Sequence, residues 1–189
     1  MVEEHTFLFC DLVGFTALTA AEGDARGADV CIEFGERVRP LLPEYRAEQI
    51  KSLGDGLMLR SDEPALGIKL GIRIVDDLEQ LEGFPPVRVG VHTGPAVTRN
   101  RDWFGTTVNV AARLCAASGG GQVLVSEATV GAAGRLNGIE VGEQRLHWLK
   151  NVTEPVAART VALRERVGRI GRGLTTFQGF FPPTAGSPA

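Results

Sequence analysis

The stretch Phe9-Cys10-Asp11-Leu12-Val13-Gly14-Phe15-Thr16 decides how the start of this chain folds. Residues 5–13 are mainly apolar and predict a strand that carries Asp11 close to its end. Gly14 follows directly, and a glycine lets the backbone turn sharply and come close to a ligand. The pattern therefore predicts a carboxylate at the edge of a sheet, beside a turn.

A second carboxylate is presented in the same way by Lys51-Ser52-Leu53-Gly54-Asp55-Gly56. Residues 49–53 and 57–60 predict two short strands, and the two glycines permit the turn between them. A lone Asp beside Gly is most often a turn or capping residue. Two such carboxylates at strand ends, however, suit a pair of divalent cations that face phosphate oxygens.

A helix is predicted before this hairpin, because residues 24–48 have apolar side chains at every fourth position. After the hairpin, residues 62–82 leave two interpretations open. Apolar residues alternate from Leu66 to Ile74 as in a strand, whereas Asp62 as an N-cap and Pro64 in the first turn favour a helix.

The second half of the chain predicts a strand over residues 86–92, a bend, and a hairpin arm over 96–104. A helix over 106–117 follows, capped by Thr106 or Thr107, and a last strand over 122–125. Asn109 and Arg113 are four residues apart, so they share one face of that helix and can reach one ligand together.

Bulk properties exclude several classes of protein. At 189 residues, one domain over residues 1–163 with an Arg-, Gly- and Pro-rich tail over 164–189 is the simplest organisation. A net charge of -3 gives no general basic surface for nucleic acid. No stretch is long and apolar enough for a membrane span, and the acidic start differs from a secretory signal, so we expect a cytoplasmic protein without a membrane partner.

The two carboxylate stretches, followed by Asp102-Trp103-Phe104-Gly105-Thr106-Thr107-Val108-Asn109-Val110-Ala111-Ala112-Arg113, resemble the catalytic domain of the class III adenylate and guanylate cyclases. The resemblance covers residues 5–163. It implies an α+β fold with a ferredoxin-like βαββαβ core, a mainly antiparallel sheet and flanking helices. It also favours a helix over residues 62–82.

The resemblance implies roles for two pairs of residues. Asp11 and Asp55 match the aspartates that hold two divalent metal ions, Mg²⁺ or Mn²⁺. Lys51 and Asp102 match the residues that recognise the base. A lysine donor and a carboxylate acceptor suit adenine, while guanine presents the reverse order of acceptor and donor. The expected substrate is therefore ATP.

Further residues match groups that bind the rest of the nucleotide. Arg113 resembles the arginine that meets the charge on the α-phosphoryl group, and Asn109 resembles the asparagine that positions the ribose. Backbone N–H groups of Leu12, Val13, Gly14, Phe15 and Thr16 are expected to bind the β- and γ-phosphates, with the Phe15 side chain packing instead. Lys150 lies where the family brings a lysine to the triphosphate.

In the family the metal aspartates and the groups that bind the base, ribose and phosphate come from opposite subunits of a head-to-tail dimer. This chain contains both sets, so the resemblance implies a homodimer with two equivalent shared sites. The expected reaction is attack of the ribose 3′-hydroxyl of ATP on its α-phosphate, giving 3′,5′-cyclic AMP and pyrophosphate. The alternatives are a guanylate or mixed-specificity cyclase and a non-catalytic nucleotide-binding domain.

Overall fold

The computed structural model describes residues 4–164 of the chain, so nearly all of the predicted tail over 164–189 lies outside the described residues. The elements are β1 (Glu4–Leu12), α1 (Phe15–Glu22), α2 (Asp24–Val38), β2 (Ala47–Ser52), β3 (Gly56–Ser61), α3 (Pro64–Glu79), β4 (Val87–Pro95), β5 (Val97–Arg99), β6 (Asp102–Phe104), α4 (Thr106–Ala117), β7 (Val123–Ser126), α5 (Glu127–Ala133), β8 (Ile139–Val141), β9 (Arg145–His147) and β10 (Val156–Leu163).

Most strands form one mixed sheet in the order β2-β3-β1-β4-β7-β10-β8, with β9 also paired to β10. All of these pairs are antiparallel except that of β4 with β7. The first four of these strands and the helices between them form the predicted βαββαβ core. The predicted α+β, ferredoxin-like fold is therefore confirmed.

The central strand β1 buries both of its faces because helices cover the sheet on both sides. Leu8, Cys10 and Leu12 belong to a large core shared with α2 and α3. Phe7, on the other face, packs with Met58 and with residues of α4. Such an uninterrupted buried run is typical of a strand covered on both faces.

Helix α4 lies very close to the sheet at Gly90 of β4. A Cβ atom added there would lie 2.1 Å from the Cys115 amide nitrogen and 2.5 Å from the Ala111 carbonyl oxygen. Any larger residue would push α4 outward, so Gly90 fixes where the helix lies on the sheet. The position of α4 matters because its outer face carries Asn109 and Arg113.

Two helix boundaries differ from the sequence prediction. The helix predicted over residues 24–48 ends at Val38 and continues only as a short 3-10 turn, Arg39–Leu41. Pro40 has no N–H to donate and disfavours a continuing α-helix, which explains the early end. The helix over 62–82 is confirmed as α3, with Pro64 in its first turn, but its N-cap residue is Glu63 rather than Asp62.

The hairpin predicted over 96–104 forms as β5 and β6, but as a separate two-stranded sheet rather than part of the main one. The prediction of a threonine cap for α4 was wrong, because Gly105 occupies the N-cap position. The Thr107 hydroxyl instead donates to the Pro95 carbonyl at 2.6 Å, which joins the start of α4 to the end of β4.

Candidate active site

Asp11 and Asp55 meet at one edge of the sheet because β1 pairs with β3. Asp11 lies opposite Gly56, and the amide of Leu12 donates to the carbonyl oxygen of Asp55 at 3.3 Å. Burial raises the pKa of the Asp55 carboxyl, and the nearby charge of Asp11 raises it further. Two carboxylates in mutual repulsion are thus present at the predicted metal position.

Arg88 is a third charged residue at this edge, and no motif in the sequence predicted it there. It lies opposite Asp11 in the β1–β4 pair. Its Nε and Nη2 atoms lie 2.8 and 2.5 Å from Asp11 Oδ2, and its Nη1 donates to the Ala116 carbonyl at 3.2 Å. The only signal in the sequence was an arginine in an otherwise apolar strand. Arg88 supplies a positive charge that pairs with Asp11.

We call Asp11, Asp55 and Arg88 the carboxylate edge. Within residues 4–164 no three His, Cys, Asp or Glu side chains are arranged to hold a metal ion. Mg²⁺ is commonly held by one or two carboxylates together with substrate phosphates and water, and Mn²⁺ accepts the same hard oxygen ligands. Asp11 and Asp55 therefore fit metal ions that bind together with a triphosphate.

The loop after β1 turns through Gly14, which has φ 79° in the left-handed region and is the N-cap residue of α1. The amides of Leu12 and Val13 donate to the carbonyls of Asp55 and Pro86, the latter at 2.8 Å. These two amides are therefore already hydrogen-bonded within the chain, in contrast to the predicted phosphate contacts. The amides of Gly14, Phe15 and Thr16 remain at the helix N-terminus, and the Phe15 ring packs against the main core, as predicted.

Lys51 and Asp102 are in direct contact although 51 positions separate them. Lys51 Nζ donates to Asp102 Oδ2 at 2.6 Å, and the amide of Trp103 donates to Asp102 Oδ1 at 2.8 Å. The Lys51 hydrogen bond is the main reason that the pKa of Asp102 is lowered. Both side chains are partly open to solvent. The predicted base-recognition pair is therefore assembled within one chain.

Asn109 and Arg113 lie on the exposed face of α4, as their spacing predicts. Neither side chain has a hydrogen-bond or ion-pair partner among residues 4–164, and nothing in this part of the chain joins Arg113 to Asp11 or Asp55. Lys150 is also exposed. Its neighbour Leu149 packs on Val110 and Leu114 of α4, which holds the Lys150 turn beside that helix.

Two of the three histidines, His5 and His92, have structural surroundings. His92 Nδ1 lies 2.7 Å from the Ser126 hydroxyl, which also bonds Thr129 at the start of α5. Burial lowers the pKa of His92 to about 4. His5 lies against the ring of Trp103. We assign neither histidine as a general base.

Comparison with known proteins shows which proteins this chain is similar to. The family model of the adenylate and guanylate cyclase catalytic domain matches residues 1–150. An adenylate cyclase of Streptomyces griseus is 34% identical over 120 residues, which cover 64% of this chain and 30% of that protein. A pH-sensitive adenylate cyclase of Mycobacterium tuberculosis is 32% identical over 172 residues, covering 86% of this chain and 42% of that protein. The chain thus spans less than half the length of these relatives.

Solved structures resemble the fold over most of its length. An adenylate cyclase structure from Trypanosoma brucei has a TM-score of 0.74 and 26% identity, covering 84% of this chain and 87% of that one. The guanylyl cyclase Cya2 has a TM-score of 0.75 and 19% identity, covering 87% and 96%. At 19% identity, the likeness to Cya2 concerns the fold alone. Among the described residues, no helix combines the length and apolar character needed to cross a bilayer.

Proposed function

The chain belongs to the adenylate and guanylate cyclase catalytic domain family, and we propose on that premise that it converts ATP to 3′,5′-cyclic AMP and pyrophosphate. The observation that carries the proposal is the meeting of Asp11 and Asp55 at one sheet edge, inside the region that the family model matches. The curated relatives named adenylate cyclase support the same activity.

We assign Asp11 and Asp55 as the ligands of two divalent cations, Mg²⁺ or Mn²⁺. When bound, such ions would lower the pKa of the ribose 3′-hydroxyl and neutralise the triphosphate and the leaving pyrophosphate. Arg88 donates to Asp11 Oδ2, so this oxygen would have to be shared with the metal ion, or released by Arg88, when the nucleotide binds. Arg88 would then be free to pair with a phosphate oxygen, as a guanidinium does readily.

The remaining groups bind and orient the nucleotide. Arg113 would meet the negative charge that develops on the α-phosphoryl group, and Asn109 would hold the ribose. The amides of Gly14, Phe15 and Thr16 at the start of α1, together with Lys150, would contact the terminal phosphates. No side chain is required as a general base. Catalysis would come from positioning and electrostatic stabilisation, which dominate phosphoryl transfer.

The choice of ATP rests on Lys51 and Asp102. A lysine donor can face adenine N1, and a carboxylate can accept from the N6 amine. Guanine presents a donor and a carbonyl at these positions, and its O6 would be repelled by the carboxylate. The contact between the two side chains supports this proposal, because it places the donor and the acceptor next to each other.

We further propose a head-to-tail homodimer in which the carboxylate edge of one subunit faces the exposed face of α4 in the other. This arrangement explains why Arg113 and Asn109 have no partner within residues 4–164. Each dimer would contain two equivalent sites. A guanylate or mixed-specificity cyclase is the second candidate, because the matching family includes both activities.

The test is turnover by the purified chain with ATP or GTP, each with Mg²⁺ or Mn²⁺, and with cyclic nucleotide and pyrophosphate both measured. We expect cyclic AMP as the main product. Asp55→Asn is the matched control, since it removes one metal ligand while keeping the shape of the side chain. Binding of ATP without either product would instead identify a non-catalytic nucleotide-binding domain, and preferred turnover of GTP would identify a guanylate cyclase.

A further inference from the structure

The indole ring of Trp103 is held by three side chains of the main sheet. The ring of His5 lies 4.3 Å away between centroids, and the ring of Phe7 lies edge-on at 5.6 Å. The guanidinium carbon of Arg60 lies 5.4 Å from the indole centroid, within the range of a cation–π contact. We call these four residues the Trp103 cluster.

Arg60 is itself fixed, so the cluster is not a chance contact of a mobile side chain. Its Nε lies 2.6 Å from Glu48 on the neighbouring strand β2, and its Nη1 lies 3.1 Å from Asp62. The same Nη1 lies 3.3 Å from His5 Nδ1. Arg60 therefore presents a fixed cationic group to the indole of Trp103.

The Trp103 cluster joins the β5–β6 hairpin to the main sheet. Each of its strands has three residues, and it is not part of the main sheet. Small isolated hairpins have little stability of their own. On the outer face, Val97 and Phe104 are about half exposed, at 53% and 50%. On the inner side, Trp103 and Ala96 pack against the buried cluster that contains Phe7, Met58, Val108 and Ala111.

Trp103 is also joined directly to the acceptor of the proposed base-recognition pair. Its amide donates to Asp102 Oδ1, while Lys51 binds Oδ2. Side chains of neighbouring residues on a strand point to opposite faces. Fixing the indole on the main sheet therefore fixes the face of β6 from which Asp102 extends and the amide that holds one of its carboxylate oxygens.

We propose that Trp103 is a positioning residue for nucleotide selection, which holds the Asp102 carboxylate where it accepts a hydrogen bond from the adenine amine and repels guanine O6. This inference rests on the proposed function, because it takes Asp102 as the base acceptor. Without the indole, β6 can shift on the main sheet. Asp102 then binds adenine less well and repels guanine less strongly, so the ratio of the two affinities falls.

The experiment measures binding of 3′-deoxy-ATP and 3′-deoxy-GTP, which lack the reacting hydroxyl, by calorimetry with Mn²⁺. Trp103→Leu keeps an apolar side chain but loses the aromatic ring. We expect it to lower the preference for the adenine nucleotide by about tenfold, the scale of one misplaced polar contact. Trp103→Phe keeps a ring and should stay within about threefold of wild type. Trp148→Leu is the matched control, because Trp148 is 79% exposed.

A double-mutant cycle separates positioning from a structural role. In an Asp102→Asn background, Trp103→Leu should change the preference no further, because the group through which it acts is gone. Effects that multiply would overturn the proposal, as would equal losses of affinity for both nucleotides. If thermal melting shows that Trp103→Leu does not fold, the same cycle is run with Trp103→Met, whose flexible side chain fills more of the space of the indole. The same two outcomes then decide the proposal.

Failure of the proposed function gives a different pattern. A wild type that prefers 3′-deoxy-ATP but makes no cyclic AMP from ATP contradicts the cyclase activity alone, and the binding cycle still decides the role of Trp103. A wild type that binds the two nucleotides equally, or binds neither, overturns the role of Trp103 in selection.

Discussion

The carboxylate edge and the exposed face of α4 differ in how their charges are balanced. Asp11 is only 27% exposed and its oxygen is bound by Arg88 within the same chain. Asn109 and Arg113 are exposed and have no partner among residues 4–164. Partly buried charges require a counterion nearby, whereas exposed charges are stabilised by water. The charge of Asp11 is thus balanced within the chain, whereas the face of α4 presents donors without an acceptor.

The largest expected effect tests whether these two regions complete one site across a dimer. Asp11→Ala should abolish cyclic AMP formation, and Arg113→Ala should reduce it by roughly a hundredfold or more. Co-expression of the two variants produces mixed dimers in which one site has both changes and the other has neither. With random exchange, about a quarter of wild-type activity should return.

Mass spectrometry of differently tagged chains would establish that mixed dimers formed. If verified mixed dimers are as inactive as either parent, the shared site is wrong for this protein. The carboxylate edge and Arg113 would then have to act within one chain.

A second prediction concerns Lys51 and Asp102, which differ from both regions because they are paired with each other. Lys51→Glu combined with Asp102→Cys should lower turnover of ATP and raise relative turnover of GTP. The expected change in the ratio is roughly five- to hundredfold, the effect of mispairing polar groups against a base. Specificity constants measured for both nucleotides would test it, and an unchanged ratio would exclude these residues from base recognition.

A third prediction removes the internal counterion of the carboxylate edge. Arg88→Ala should strengthen binding of Mn²⁺ in the absence of nucleotide by about threefold to tenfold, since a positive charge no longer competes for Asp11. The KM for ATP should rise, because a donor for the phosphates is lost. Titration of free Mn²⁺ by electron paramagnetic resonance and steady-state kinetics would measure the two effects.

Arg73→Ala is the control for the Arg88 variant. Arg73 forms an exposed ion pair with Asp77 on α3, at 2.7 Å, and lies outside the proposed site. Arg73→Ala should change neither the affinity for Mn²⁺ nor the KM for ATP. Weaker binding of Mn²⁺ by Arg88→Ala would show that Arg88 organises the metal ligands rather than competing for them.

The smallest expected effect concerns the strand β4, which carries Arg88 and supports α4. His92 has a folded pKa of about 4 because it is buried, against an ordinary value of 6.5. As the pH falls below 6.5 the unfolded chain binds a proton that the folded chain does not, so stability is lost between these values. Relative to His92→Gln, the wild type should lose about 1–2 kcal/mol of unfolding free energy between pH 7 and pH 5.

Urea unfolding at each pH would provide the comparison. The glutamine keeps a polar group for Ser126 and does not titrate, so it is the appropriate reference. Parallel dependence of stability on pH in the two proteins would show that His92 takes up its proton equally in the folded and unfolded states.

Much of the carboxylate edge and of α4 could be predicted from local patterns. Asp11 beside Gly14, Asp55 between two glycines and the four-residue spacing of Asn109 and Arg113 are features of short segments. Turns and helix faces depend on neighbours in the sequence, so their chemistry can be inferred from residues a few positions apart. The resemblance of these segments to one family then supplied the fold, and that prediction was confirmed.

The sequence by itself determined where carboxylates, donors and turns occur along this chain. Only the tertiary structure decided which of them meet. The pairing of Arg88 with Asp11 depends on the register of β1 against β4, across 77 positions, and a shift of one residue would turn either side chain to the opposite face. The contact of Trp103 with His5 and Arg60 likewise needs β6, β1 and β3 packed together. Such contacts follow from long-range packing, which no local pattern in the chain specifies.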